Sequence, residues 1–294
     1  VSADGEHALT LIAMLGSVFS PHYARARQRP GGAHPLDHSA MNVALYGPRA
    51  SWCLTERPRG SVERSASELR LGPNTLRWSE GELVVELDEV VSPYMVPSLG
   101  RRRVRGQVRL TPRFCTSEPV DLDGRGRHAW HPIAPVCDAV VELESPGVSF
   151  RGSGYLDTNR GVEPLEQGFS WWSWSRSAHD DEPVTTYDAI RKDGSRISDA
   201  RRHGPSGSEE VPGLAPVALP RSRWGLPRTV LADPGTRARV LKDLEDTPFY
   251  GRSLIESTVA GKRAVSVYEA LSCDRFASPL VQWMLPYRMR REGA

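Results

Sequence analysis

Two pairs of residues in this chain each set an aromatic ring and a titratable group two positions apart. They are His128 with Trp130 in "GRHAWHPIAP" and Tyr155 with Asp157 in "GYLDTN". Both stretches read as extended, and along a strand alternate side chains leave on the same face. Each pair therefore shares a face. A carboxyl beside a phenol can be a solvated surface acid, or an acid held in an apolar pocket to move a proton. The strand-like "VCDAVVELES" links the two segments, so neighbouring strands can bring both pairs to one cavity. The plainer alternative is a barrel interior with one satisfied histidine and one satisfied aspartate.

A third stretch, "GFSWWSWS", carries Phe169, Trp171, Trp172 and Trp174. Simple alternation puts Phe169 and Trp171 on one face and Trp172 and Trp174 on the other. Three of the eight tryptophans stand within four residues. That density fits either a strand buried on both sides or the paving of an apolar pocket whose ring faces stabilise a cation. Histidine pairs can supply metal ligands, as in "HPLDH" (His34, His38) and "HAWH" (His128, His131). But His34 precedes a proline in a loop, and a strand sends His128 and His131 to opposite faces, so no metal site is expected. No phosphate loop, dinucleotide fingerprint or G-x-S-x-G elbow is present. Cys53, Cys115, Cys137 and Cys273 are widely spaced without C-x-x-C and read as four reduced thiols.

The elements that must position these residues read as strands. Glycine (26) and proline (24) fall between short apolar runs, which is the punctuation of an all-β chain. Hairpins are expected with turns near Ser79–Gly81, at Ser145-Pro146-Gly147, at Asp193-Gly194 and at Gly261-Lys262. "RRVRGQVRLTP" alternates as a strand, "SVERSASEL" is a short helix candidate, and Arg201–Pro220, rich in Pro, Gly and Ser, reads as a loop. No short repeat points to a propeller or solenoid. The expectation is antiparallel sheets, closed or sandwiched, in two units. The strand pattern pauses at Glu163–Gln167, which divides the chain into residues 1–165, carrying both aromatic–acid pairs, and 166–294.

Charge narrows the partners. With 38 Lys and Arg against 36 Asp and Glu, the chain lacks the basic excess of a general nucleic-acid binder. Its apolar runs fall well short of the ~20 residues that span a bilayer as a helix. The basic run "RRRVR" at Arg101–Arg105 reads as a protected sheet edge or as a contact for an anionic membrane surface. The chain opens at Val1 and passes directly into the strand-like "GEHALTLIAMLGSVF", so further residues are expected upstream.

The segments "GSVFSPHYARAR", "DHSAMNVALYG", "LTERPR", "LRW", "RHAWHPIAP", "GYLDTNRGVEPLEQGF", "WWSWSRS" and "MLPYRMRR", in this order, resemble the carotenoid 1,2-hydratases (hydroxyneurosporene synthases) from Leu9 to Arg291. The resemblance implies a pair of lipocalin-like β units and addition of water to the terminal C1=C2 bond of an acyclic carotenoid such as neurosporene or lycopene. It also implies that no organic cofactor or metal is needed. The family's His-x-Trp and Tyr-x-Asp motifs fall on His128, Trp130, Tyr155 and Asp157, which makes these the expected catalytic residues. In that chemistry Asp157 is the expected acid, and His128 returns its proton or orients it. Trp130 and Tyr155 face the carbocation, Tyr155 alternatively holding the attacking water by its hydroxyl, and Phe169, Trp171, Trp172 and Trp174 line the path of the polyene. A membrane-borne hydrocarbon implies a cytoplasmic protein in peripheral contact with the inner, photosynthetic membrane. The rival readings are a lipocalin-like carrier without turnover and an acid-initiated terpenoid cyclase or isomerase. The sequence leaves the oligomeric state open.

Overall fold

The computed structural model describes residues 1–92, 102–177 and 182–292. Arg101 of the basic run lies outside the described residues; within it, Arg103 pairs with Asp88 and Arg105 with Glu144. Antiparallel strands dominate, as the glycine and proline punctuation requires, and they form two compact units.

The first unit comprises Val1–Pro112, Cys137–Gly154 and Gln282–Ala294. One of its sheets orders Ala8–Met14, Ser39–Tyr46 and Ser51–Arg57, with Arg290–Arg291 parallel to the last. A second sheet runs from Val148–Gly161 through His128–Ser145, Arg103–Pro112, Glu82–Val90, Asn74–Ser79 and Glu68–Leu71 to Val62–Arg64. Its inward positions follow the two-residue period. Val85 and Leu87 join Val104, Val108, Val141 and Leu143 in a core that also holds Met41, Val43, Leu45 and Cys53.

The second unit comprises Arg113–Val136 and Tyr155–Val281. Its main sheet orders Gly207–Glu210, Arg196–Gly204, Val184–Arg191, Phe169–Ser177, Lys262–Ser272, Tyr250–Val259 and Arg239–Asp246. One face of it packs Tyr268, Ala270, Ile255 and Val259 on Leu226, Val230 and Ala232, two of which belong to the small sheet Ala215–Leu219/Arg228–Ala232. The opposite face carries the candidate site.

The division differs from the single boundary expected near residues 163–167. Two long strands, His128–Ser145 and Val148–Gly161, are each shared between the units, so the units interleave along the chain and both aromatic–acid pairs fall in the second. Two local expectations are also corrected. Residues 61–69, read as a short helix, include the strands Val62–Arg64 and Glu68–Leu71, paired to each other. The span read as a loop, 201–220, contains strand: Gly204 pairs with Gly207 around a tight turn, and Ala215–Leu219 pairs with Arg228–Ala232. Pro and Gly there mark tight turns and an exposed edge, places where sheets tolerate them. The turns near Glu80–Gly81 and Asp193-Gly194 stand where the sequence placed them.

Candidate active site

His128 and Trp130 sit on buried positions of a strand that alternates cleanly, with Ala129 and His131 on the other side. Trp130 is almost fully enclosed and aims its indole N–H at the second pair. It donates to Asp157 Oδ2 at 2.9 Å and to Tyr155 Oη at 3.2 Å. Tyr155 Oη in turn donates to Asp157 Oδ2 at 3.2 Å. The two i, i+2 pairs thus meet, and all the described hydrogen bonds of Asp157 reach one oxygen from neutral donors.

The wall opposite comes from the main sheet of the second unit. Trp174 is the direct cross-strand partner of Tyr187 on one side and Glu269 on the other, and Glu269 is the partner of Arg252. Directly opposed residues share a face, so these four form a row across the sheet. Tyr155 packs on Trp174 with ring centroids 5.0 Å apart. Tyr187 lies between Trp130 (5.6 Å) and Trp172 (5.8 Å). Arg252, buried, pairs with Glu269 at 2.9 Å.

Alternation misplaced one of the aromatic residues, Phe169, and placed Trp171 correctly opposite Trp172 and Trp174. The register pairs Phe169 with Arg191 but Trp171 with Ile190, so a bulge sits between them. One extra residue inverts the facing of everything before it. Phe169 therefore joins Trp172 and Trp174 on the site face and meets His128 edge-on at 5.0 Å. Trp171 turns the other way, into the Tyr268 and Ile255 core.

His128 does not touch Asp157. Its Nε2 lies 3.2 Å from Glu163 Oε1, and Glu163 is also held by Arg127 at 2.7 Å. The imidazole is clamped between Gly161 and Gly168, where a Cβ would stand 2.9 Å and 2.8 Å from its nitrogens. The pause at "GVEPLEQG" that suggested a boundary is in fact the clamp around this ring. Nearby, burial alone would raise the Asp123 carboxyl. The backbone N–H groups of Arg125 and Arg127 outweigh it and hold Asp123 far below the usual range, where it pins the turn leading into His128. His131 points away and meets the Thr116 carbonyl at 3.0 Å. Among the described residues no cluster of His, Cys, Asp and Glu has the form of a metal site.

Burial dominates the electrostatics. It pushes Asp157 up from 3.8 to about 6, against the hydrogen bond from Trp130; the charge of Glu269 raises it further, while the hydrogen bond from Tyr155 and the charge of Arg252 oppose. The same burial, with Asp157 beside it, holds the Tyr155 phenol well above its ordinary value, and Tyr187 is raised likewise. Tyr155 is thus a proton-bearing donor at neutral pH. Glu163, Tyr187, Glu269 and Arg252 were not singled out from sequence. Only Glu163 had a signal there, inside the family-like segment.

A carboxyl near neutrality, fixed by two neutral donors and walled by aromatic rings, suits acid-initiated chemistry with a cationic intermediate. The sequence decides the lineage: residues 11–294 match the family described as Carotenoid hydratase CrtC. The chain belongs to the carotenoid hydratase family. It is 46% identical over 296 residues to an acyclic carotenoid 1,2-hydratase of Thiocapsa roseopersicina, covering all of this chain and 71% of that one. It is 39% identical over 285 residues to the enzyme of the same name from Cereibacter sphaeroides, covering 96% and 99%. In fold it is similar to the crystal structure of an AttH-type protein from Nitrosomonas europaea, with a TM-score of 0.57 at 14% identity over 92% of this chain and 89% of that one.

Proposed function

We propose that this carotenoid hydratase adds water across the terminal C1=C2 bond of an acyclic carotenoid, with Asp157 as the proton donor. The observation that carries the reading is the Asp157 carboxyl, raised to about 6 by burial and held at Oδ2 by Trp130 and Tyr155. Roughly a tenth of such a group carries its proton at pH 7. That is over a hundredfold more than for an ordinary aspartate.

The proton passes from Asp157 to C2, the alkene π pair forms the new C–H bond, and a tertiary cation is left at C1. The carboxylate so formed is stabilised at once by the indole and phenol donors already on Oδ2. Trp130, Tyr155, Tyr187 and Trp174 offer ring faces to the cation, each contact worth about 2 kcal/mol when desolvated. Water adds to C1, and the resulting oxonium returns a proton to the carboxylate, which restores the acid. Phe169, Trp172 and Trp174 line the site end of the polyene; Trp171 supports them from behind. His128, bound to Glu163 rather than to Asp157, acts as a positioning residue that fixes the strand carrying Trp130. No metal or cofactor is called on.

The test is incubation with lycopene or neurosporene in liposomes, wild type beside Asp157→Asn, read by liquid chromatography and mass spectrometry. A product heavier by the elements of water, from wild type only, is the expected result. Carotenoid bound but unchanged by the wild type would assign the protein to carriage instead. A product isomeric with its substrate would make it a cyclase or isomerase.

A further inference from the structure

Hydration needs a water held beside C1. Tyr155 is the residue the sequence offers for this, but its hydroxyl is already engaged. Its oxygen accepts from the Trp130 indole N–H at 3.2 Å, and its proton goes to Asp157 Oδ2, also at 3.2 Å. Trp172 and Trp174 carry indole N–H groups that meet no partner, but both nitrogens are buried. An indole also only donates, whereas an attacking water gives up a proton and needs a neighbour that accepts. Glu269 takes both the Nε and the Nη2 of Arg252 on Oε1.

Tyr187 belongs to the same unit and differs from all of these. It is 5% exposed, and among the described residues nothing hydrogen-bonds its hydroxyl. A buried tyrosine hydroxyl normally finds a partner, because its desolvation is otherwise uncompensated. The ring itself is well held. Trp172 stacks on it at 5.8 Å with the planes 24° apart, and Trp130 tilts against it at 5.6 Å. Its backbone pairs directly with Trp174 on one side and Asp199 on the other. Packing of this kind fixes the hydroxyl in advance. Burial holds the phenol well above its ordinary value, with Cys273, Asp157 and Glu269 adding to the effect, so it keeps its proton. A protonated phenol both donates and accepts. Asp157 is near enough to act on Tyr187 electrostatically, yet no described bond joins them. A water bridges polar groups so placed.

We propose that the Tyr187 hydroxyl holds the water that captures the cation at C1, an inference that rests on the hydratase reading. The Tyr187 oxygen accepts one O–H of the water and leaves an oxygen lone pair for C1. As the C–O bond forms, the other water proton passes to the Asp157 carboxylate, and the product hydroxyl stays bonded to Tyr187. Without that hydroxyl the cation has no water in position. It then loses a proton from a C1 methyl group to the same carboxylate. The product is an isomer whose double bond has moved to the methyl carbon, and Asp157 is again an acid.

The test is incubation of lycopene with wild type, Tyr187→Phe, Tyr155→Phe and Glu269→Gln in D2O, with products separated by liquid chromatography and identified by mass spectrometry. Wild type should give the alcohol. Tyr187→Phe keeps the ring and the acid, so it should lower the alcohol and raise the share of shifted isomer, each roughly tenfold or more. That isomer should carry deuterium at C2. Tyr155→Phe, which acts on Asp157 itself, should lower alcohol and isomer together. Tyr187→Phe should also melt no lower than wild type, because the lost hydroxyl has no described partner. Tyr187→Phe with the wild-type ratio of alcohol to isomer overturns the proposal. So does a melting point lowered as far as that of Tyr155→Phe, which would mean a hydroxyl already bonded within the protein. Isomer that rises in Glu269→Gln and not in Tyr187→Phe overturns it too, and assigns the water to Glu269. Wild type that forms no alcohol removes the hydratase reading and this proposal with it; wild-type hydration with Tyr187→Phe unimpaired removes this proposal alone.

Discussion

Glu89 in the first unit and Asp157 in the second are both carboxyls set in β interiors, and their surroundings differ in one respect. Glu89 continues the inward row Val85, Leu87, and it meets Thr55 Oγ1 and Asn74 Nδ2 at 2.6 Å each and the Arg57 guanidinium at 2.7 Å. Arg57 comes from the inward row Cys53, Thr55, Arg57, and its side chain passes over Gly72, where a Cβ would stand 2.3 Å away. Glu89 therefore has both oxygens occupied and a cation in contact. Asp157 has donors on one oxygen, both neutral, and the cation in its neighbourhood, Arg252, is already paired with Glu269. Direct pairing with a cation makes a carboxyl structural. Burial with only neutral donors leaves it able to carry and release a proton.

The largest effect that can break this contrast is on turnover. Asp157→Asn should lower hydration by about 10²–10⁴-fold, the usual worth of a general acid, measured as product formed per folded protein. If Glu89 is structural, Arg57→Met should destabilise the fold by about 3–5 kcal/mol, because a buried carboxylate loses its partner; urea unfolding reads this directly.

Stability should move the other way at the site. The folded Asp157 titrates at about 6 and the unfolded one near 3.8. Between those values the unfolded chain binds fewer protons, so stability falls as pH rises through that window, by up to about 3 kcal/mol. Asp157→Asn should remove that slope and be the more stable protein at pH 7 in thermal melts. The smallest effect sharpens the role of the neighbouring pair. Glu269→Gln removes a charge that raises Asp157 and frees Arg252, which lowers it. The alkaline limb of the pH–rate profile should shift to lower pH by about one unit, a tenfold loss at pH 7.

The aromatic–acid pairs were legible because strand alternation is a two-residue rule, and both His128/Trp130 and Tyr155/Asp157 obey it without interruption. Phe169 was misplaced because one bulge residue reverses that rule for what precedes it, and nothing in "GFSWW" announces it. Glu269 and Tyr187 enter through cross-strand register with Trp174, a long-range property that local patterns do not carry. The strands within 201–220 were hidden by Pro and Gly that serve as tight turns at a sheet edge. The interleaved units escaped notice because a long strand shared by two units has no boundary signal in its sequence.

Burial without a contacting cation makes Asp157 an acid poised near neutrality. Titration of that one carboxyl checks this, with ¹³C-labelled aspartate and Asp157→Asn to assign its NMR signal. The expected midpoint is near 6. A midpoint at the ordinary value of 3.8 would contradict it.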